Sequence, residues 1–362
     1  SAAPSGINPA LIAQLLGGVQ GCSTAAPSAT PSGGHLASRK PISVASAGCK
    51  LPGHADSLQE HVHALADAVD TLSEAPPERW DYSKSVQGLP DTVASRCRFA
   101  GYTSGITGFD NIAFGINVAE ATAMDPQQRL LLEKGYESLH SAKFDRDSLL
   151  GAPTGVFVGI AVTDFAHIIA MTPAGSSVYA ATGFAQSIAC GRLSFALGLQ
   201  GPCASYETAC SAALTAFHAG LRALQVNDCS SALGAGVNLM LLPTAGITYS
   251  IAGLTSMRGR SSTWDVSADG YARGEACVAA AIEQATCSQD GSSLMAEGSG
   301  SRQDGRSASL TAPNGQAQQG LLLAALADAG MTASVLTLHE AHGTGTALGD
   351  PIEAGSLMAA VL

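Results

Sequence analysis

The sequence predicts an α/β fold in which strands alternate with helices around a mostly parallel sheet. Three observations predict it. Short apolar runs such as Gly155–Ile160 and Ala232–Asn238 read as strands covered on both faces, the pattern of an interior sheet. Stretches with apolar residues three and four apart separate such runs, as βαβ units require. Composition agrees: 46% of the 362 residues are hydrophobic, 13% are charged and 41 are glycine, which suits closely packed layers.

Residues 1–40 are rich in Ala, Ser, Pro and Gly and are expected to be a linker, because such a segment buries too little surface to order itself. Pro9–Val19 is an apolar patch suited to a transient helix, without the charged start and long apolar core of a secretory signal. The first residue is Ser rather than Met, so a chain processed or cut from something longer is expected. Globular patterning begins with a strand and turn at Pro41–Cys49, and a helix follows from about Ser57 to Leu72. Residues 76–110, with Pro76-Pro77 and scattered glycines, read as loop. In Met124–Glu133, Asp125 suits an N-cap, Pro126 the first helical position and Gln128 the partner in a capping box. Further on, the pattern predicts a strand at 154–160, a helix from about Gly183 to Phe195 and a turn at Gly198–Pro202. Strands are expected at Ala232–Asn238, Ala276–Ile282 and 294–299, with loop over 254–274 and a helix over 315–329. A last strand, Val335–Glu340, leads to His342, and a helix starts near Glu353.

A short strand delivers the run Glu207–Leu214, in which Cys210 precedes a helix pattern of Ala212, Ala213, Ala216, Phe217, Gly220 and Leu224. Unpaired first-turn N–H groups and the helix dipole favour negative charge at that position. A thiol there ionises more readily and is a better nucleophile. Position alone equally describes a small buried cysteine.

The net charge of −11 argues against nucleic acid, whose phosphates need a basic face. No apolar run is long enough for a membrane span. Nine cysteines without a C-x-x-C pair argue against a disulfide framework or a zinc ribbon. An intracellular, reducing compartment is expected, cytoplasm or plastid. Cys190 and Cys203 are expected to be packing residues.

The second informative stretch is His339–Glu353. His342 ends an expected strand, and the glycines after it let backbone approach a ligand. His339 and His342 are one residue short of zincin spacing, and strand alternation points them to opposite faces. His339 is therefore expected at the surface, and His218, two turns along the Cys210 helix, in the core. The glycines at 343, 345 and 349 match neither G-x-G-x-x-G nor a Walker loop.

These stretches, with Asp265–Glu275 and Asp304–Gln316, resemble in content and order the β-ketoacyl synthase (ketosynthase) domain of type I polyketide and fatty acid synthases. The resemblance covers roughly residues 41–362, divided as an N-terminal half over 41–287 and a C-terminal half over 288–362. It implies a thiolase-like fold, two mixed five-stranded sheets layered with helices as αβαβα, the second half incomplete. It implies a homodimer, and an acyl carrier protein whose phosphopantetheine carries the substrates, with no bound cofactor and no metal. Cys210 matches the acylated nucleophile and His342 the first active-site histidine, which assists decarboxylation of the extender and steadies the enolate. Thr344 and Thr346 match the pair that hydrogen-bonds the phosphopantetheine arm. Asp350 and Glu353 match residues supporting the site. The chemistry suits these residue types: a thioester keeps the chain reactive, and a neutral histidine N–H in a dry pocket can bond an enolate oxygen.

A second histidine in a Lys-Ser-x-x-Gly-His motif and a late glycine-rich loop belong to the family, and neither occurs before Leu362. The chain reads as a partial sequence or a truncated product, with Glu353 lacking its lysine partner. The leading expectation is β-ketoacyl synthase activity; the competing one is an acyl-holding or transacylating domain, or a dimer scaffold. Cys210 argues against a loading-type decarboxylase with glutamine at that place, and the 340–353 motif argues against a thiolase. Arg258, Arg260, Arg273, Arg302 and Arg306 are candidate carrier-protein contacts or, equally, loop braces.

Overall fold

The computed structural model describes residues 41–285 and 294–361; the linker expected over 1–40 and the expected division after residue 287 lie outside them. The chain begins with β1 (Ile42–Lys50), α1 (Leu58–Ala66), β2 (Leu72–Glu74), β3 (Phe99–Gly101) and α2 (Pro126–Ser141). Next come β4 (Thr154–Ile160), α3 (Gln186–Leu197), β5 (Cys203–Tyr206), α4 (Ala212–Gln225) and β6 (Ser231–Asn238). The remaining principal elements are β7 (Arg273–Gly274), β8 (Ala276–Gln284), β9 (Leu294–Ala296), α5 (Gly315–Ala329) and α6 (Gly349–Val361). Among the described residues no helix is long and apolar enough to cross a membrane.

The main sheet has the order β5-β4-β6-β8-β1-β9, and β2, β3 and β7 form a small second one. β4 is parallel to β5 and β6, whereas β6–β8, β8–β1 and β1–β9 are antiparallel. The sheet is therefore mixed, as the family resemblance implies, and not mostly parallel. Uninterrupted apolar and small residues make the β1 and β8 runs look like parallel strands, although Val278 of β8 is 37% exposed, and periodicity carries no strand direction. The second five-stranded sheet is not among the described residues.

Strand alternation divides the core in two. Val156, Val158 and Ile160 of β4, with Leu233, Ala235 and Val237 of β6, pack with Leu130, Leu131 and Leu139 of α2 and Leu193 of α3. Phe157 and Ala232 face the other way, against Ala216, Leu221 and Leu224 of α4. Helices thus cover both faces, and α4 is pressed on the face that carries Gly159, Gly234 and Gly236.

Several local expectations are corrected. α1 is capped by Ser57, whose side chain accepts the Glu60 N–H, but it ends at Ala66, and Leu72 pairs with Gly101 instead. The loop over 76–110 holds short helices at Tyr82–Ser85 and Asp91–Arg96 as well as β3. Asp125 caps α2 by accepting the Gln127 N–H at 2.8 Å. Gln128 closes no capping box: its amide reaches the Thr182 carbonyl and its oxygen accepts from Arg192 Nε at 2.7 Å. Burial at 2% exposure turns it inward, away from the helix start. The helix over 183–195 is two, Ala180–Phe184 and α3, because Ala185 has extended backbone (ψ 126°). Val335–Glu340 is not a strand: Ala333–Val335 is a 3₁₀ turn, and 336–340 are exposed without ladder partners among the described residues.

Candidate active site

β5 delivers the chain to a sharp turn. Ala209 has φ 52°, a left-handed conformation costing an alanine on the order of 1 kcal/mol. Cys210 follows in the 3₁₀ turn Ala209–Ser211, immediately before α4. Ser211 Oγ donates to the Thr208 carbonyl at 2.9 Å, and Thr208 Oγ1 meets Thr215 Oγ1 at 3.1 Å, so the turn is tied to the helix it opens. Glycine permits the close seat of this helix start. A Cβ on Gly159 would lie 2.4 Å from the Ala212 carbonyl carbon, and one on Gly236 would lie 2.5 Å from Ala213 Cβ. The strands therefore fix where the thiol stands.

The His342 loop is assembled by two carboxylates. Glu353 accepts the N–H of His342 at 2.6 Å and of Gly343 at 2.8 Å. Asp350, 4% exposed, accepts the Gly345 N–H at 3.0 Å and the Trp264 N–H at 3.1 Å. Gly343 and Gly345 have φ of 51° and 73°, which glycine adopts without penalty. The Gly270 N–H donates to the Gly345 carbonyl at 2.9 Å, and Thr263 Oγ1 donates to that of Gly343. Thr344 Oγ1 and Thr346 Oγ1 stand 3.2 Å apart, and Thr346 Oγ1 also accepts the Gly349 N–H.

Cys210 and His342, 132 residues apart in sequence, meet in space. The His342 imidazole holds the Cys210 thiol below its ordinary pKa, helped by the Cys210 and Ser211 N–H groups and opposed by burial. Reciprocally, the Cys210 sulfur raises the His342 pKa, with smaller contributions from Glu353 and Asp350. Both shifts favour a thiolate–imidazolium pair. Both residues are exposed in this chain, and the histidine is biased toward the charged form.

Of the six residues singled out from sequence, Cys210 lies in the turn before α4, His342, Thr344 and Thr346 in the histidine loop, and Asp350 and Glu353 in the first turns of α6. Sequence reasoning missed Thr263, Trp264 and Gly270, which brace the histidine loop from the side. It also missed Tyr271, whose phenol pKa is raised first by burial and also by the Cys210 charge. The last three belong to or adjoin Asp265–Glu275, a stretch read only as a family marker. Among the described residues no group of three or more His, Cys, Asp or Glu side chains could hold a metal ion.

The remaining expectations divide. His339 is exposed, and His218 is half-buried with Nδ1 2.7 Å from Ser299 Oγ. Arg258 bonds Ser262 and Ser267 and stands 3.7 Å from Asp269, while Arg260 pairs with Asp70, so both brace loops while 51% and 40% of their side chains stay exposed. Arg273 lies over the Tyr249 ring, and Arg302 and Arg306 are exposed. Cys190 is buried in the core, as expected of a packing residue, whereas Cys203 is exposed, and their thiols are neighbours.

Comparison with known proteins shows the family. The family model for the β-ketoacyl synthase N-terminal domain matches residues 39–287, and that for the C-terminal domain matches 294–362. A phenolphthiocerol/phthiocerol polyketide synthase of Mycobacterium tuberculosis is 39% identical over 326 residues, covering 88% of this chain and 18% of that protein. The spectinabilin polyketide synthase system protein NorC of Streptomyces orinoci is 38% identical over 354 residues, covering 96% and 16%. The chain thus spans less than a fifth of these relatives' length. The ketosynthase from module 6 of the bacillaene synthase of Bacillus subtilis superposes with TM-score 0.79 at 29% identity, over 89% of this chain and 54% of that one. The Streptomyces albus oxazolomycin ketosynthase domain OzmH KS7 gives 0.81 at 27% identity, over 89% and 56%. The chain belongs to the β-ketoacyl synthase family, as a thiolase-like ketosynthase domain of the kind found in modular polyketide synthases.

Proposed function

We propose that the domain catalyses acyl transfer to Cys210 and then decarboxylative Claisen condensation with a malonyl-type extender. The observation that supports this most directly is the Cys210–His342 pair at the start of α4. In the first half-reaction the Cys210 thiolate attacks the carbonyl carbon of an acyl thioester. The bond to the carrier sulfur breaks, and the His342 imidazolium protonates the departing thiolate. Neutral His342 then directs an N–H at the extender's thioester oxygen. As carbon dioxide leaves, the electron pair of the broken C–C bond becomes an enolate, which that N–H stabilises. The enolate carbon attacks the Cys210-bound acyl group, a C–C bond forms, and the cysteine sulfur leaves as thiolate.

Substrates arrive on the phosphopantetheine of an acyl carrier protein, with the Thr344 and Thr346 hydroxyls bonding the arm. Asp350 and Glu353 position the loop without touching substrate. The working unit is a homodimer. A second reading, a domain that only holds or relays the acyl chain, is favoured by one feature: the Cys210–His342 pair by itself accounts for thioester exchange.

Separate measurement of Cys210 acylation and of carbon dioxide release from a malonyl thioester, in the protein and in His342→Ala, distinguishes the two. The condensing reading predicts release that falls about 10²–10³-fold in the variant while acylation falls less. Acylation without any release supports the acyl-holding reading.

A further inference from the structure

Cys190 lies in the second turn of α3, and Cys203 begins β5. Their side chains meet across the gap between helix and strand, and both line one solvent-open cleft of about 300 Å³ beside Glu207. The single Ser205 hydroxyl hydrogen is shared between the Gln186 carbonyl, 2.7 Å from Oγ, and Cys190 Sγ, 3.2 Å from it, which holds β5 against the start of α3. We propose that Cys190 and Cys203 are a redox-modification site that closes to an intramolecular disulfide, tying α3 to β5 beside the nucleophile turn.

The chemistry follows from the environment. Hydrogen bonds from the Cys203 thiol and then from Ser205 draw the Cys190 pKa down despite burial, and the same contact raises that of Cys203. Ser205 Oγ, 3.2 Å from Cys190 Sγ, is placed to steady a thiolate there, so Cys190 takes the role of attacking sulfur and the exposed Cys203 that of the resolving one. The oxidant is a hydroperoxide. The Cys190 thiolate attacks one peroxide oxygen, forming an S–O bond as the O–O bond breaks, and the departing hydroxide takes a proton to become water. The Cys203 sulfur then attacks the sulfenic sulfur, forming S–S and breaking S–O, and the second hydroxide leaves as water with the Cys203 proton. The two thiols together lose two electrons and two protons, and one hydrogen peroxide becomes two waters. A disulfide of about 2 Å requires sulfurs already in contact to close by on the order of 1–2 Å. β5 ends at Tyr206, four residues before Cys210, so that movement is transmitted to the nucleophile turn.

The test uses the Cys210→Ala protein, to remove the competing nucleophile. It is treated with hydrogen peroxide, alkylated with iodoacetamide and digested without reduction. The expected product is a peptide pair joined through Cys190 and Cys203, lost on adding dithiothreitol and absent from Cys203→Ser. Alkylation of both cysteines after oxidation, or a link between Cys203 residues of two copies, overturns the proposal. In protein that keeps Cys210, peroxide is expected to slow acylation by on the order of tenfold more than in Cys203→Ser. That second readout rests on Cys210 being acylated; the peptide map does not. Equal inhibition in both proteins overturns the coupling to the nucleophile turn.

Discussion

Replacing Gly159 by alanine tests how the nucleophile turn is held. The new Cβ would stand 2.4 Å from the Ala212 carbonyl carbon and the Ala213 nitrogen, and 2.6 Å from the Ala212 oxygen. All three are backbone atoms of the first turn of α4, so no side chain can swing aside. Restoring an ordinary contact of 3.4 Å separates helix from strand by about 1 Å. Overpacking of this kind costs about 1–3 kcal/mol. A displacement of about 1 Å at a catalytic group costs on the order of 10²-fold in rate. The expected result is Cys210 acylation slowed about 10²-fold, followed by mass spectrometry with a small thioester, together with a lowered Tm. Gly191→Ala is the control: it lies in α3 with nothing beyond its own stretch of helix within 4 Å of its new Cβ, and should keep the rate and gain up to about 1 kcal/mol of stability. Wild-type acylation and Tm in Gly159→Ala would show that the strand does not fix the turn.

Three further outcomes follow from the same contacts. Alkylation of Cys210 by iodoacetamide should rise with pH at a midpoint below the ordinary thiol value, and His342→Ala should move that midpoint upward; an unmoved midpoint removes the histidine from the thiolate's environment. Burial raises Asp125 to about 6, with Gln127 and Arg129 opposing and Asp164 adding, so the protonated form stabilises the fold. That stability is complete below the ordinary carboxylate pKa and lost as pH rises through about 6. Asp125→Asn, which keeps the cap acceptor, should therefore flatten the fall in denaturant midpoint between pH 4 and 7, worth up to about 3 kcal/mol. Asp350→Ala leaves the Gly345 and Trp264 N–H groups without their acceptor and should cost about 2–4 kcal/mol by urea unfolding; a loss below about 0.5 kcal/mol would mean water replaces the carboxylate.

The residues that carry chemistry were legible because their patterns are local. A cysteine before an apolar helix pattern, and a histidine followed by spaced glycines, can be read from a few neighbours each. Their meeting came only through family resemblance, since no periodicity relates Cys210 to His342. Asp350 was assigned as support without a visible mechanism and Glu353 as the partner of a lysine, and the backbone N–H groups they gather give both a role. Gly159 and Gly236 passed as ordinary strand glycines, because what needs their missing Cβ is a helix start more than fifty residues from one and more than twenty from the other. Strand direction failed for the reason already visible in β1 and β8: apolar and small residues at successive positions erase the alternation. Val335–Glu340 misled because an apolar, β-branched run promises a strand only where a neighbour supplies the ladder. Cys190 is in the core as expected, but its neighbour Cys203 was misjudged, because the two stand thirteen positions apart, across a helix end and a turn, and only the fold brings their thiols together.

The central claim is that Cys210 is the residue that takes the acyl group. Incubation with an acyl N-acetylcysteamine thioester, followed by peptide-level mass spectrometry, tests it most directly. The account predicts a single acyl adduct on the peptide containing Cys210, formed faster with His342 present, and no adduct at a comparable rate in Cys210→Ala. An adduct on Cys203 or another cysteine at the same rate, or undiminished labelling of Cys210→Ala, would contradict it.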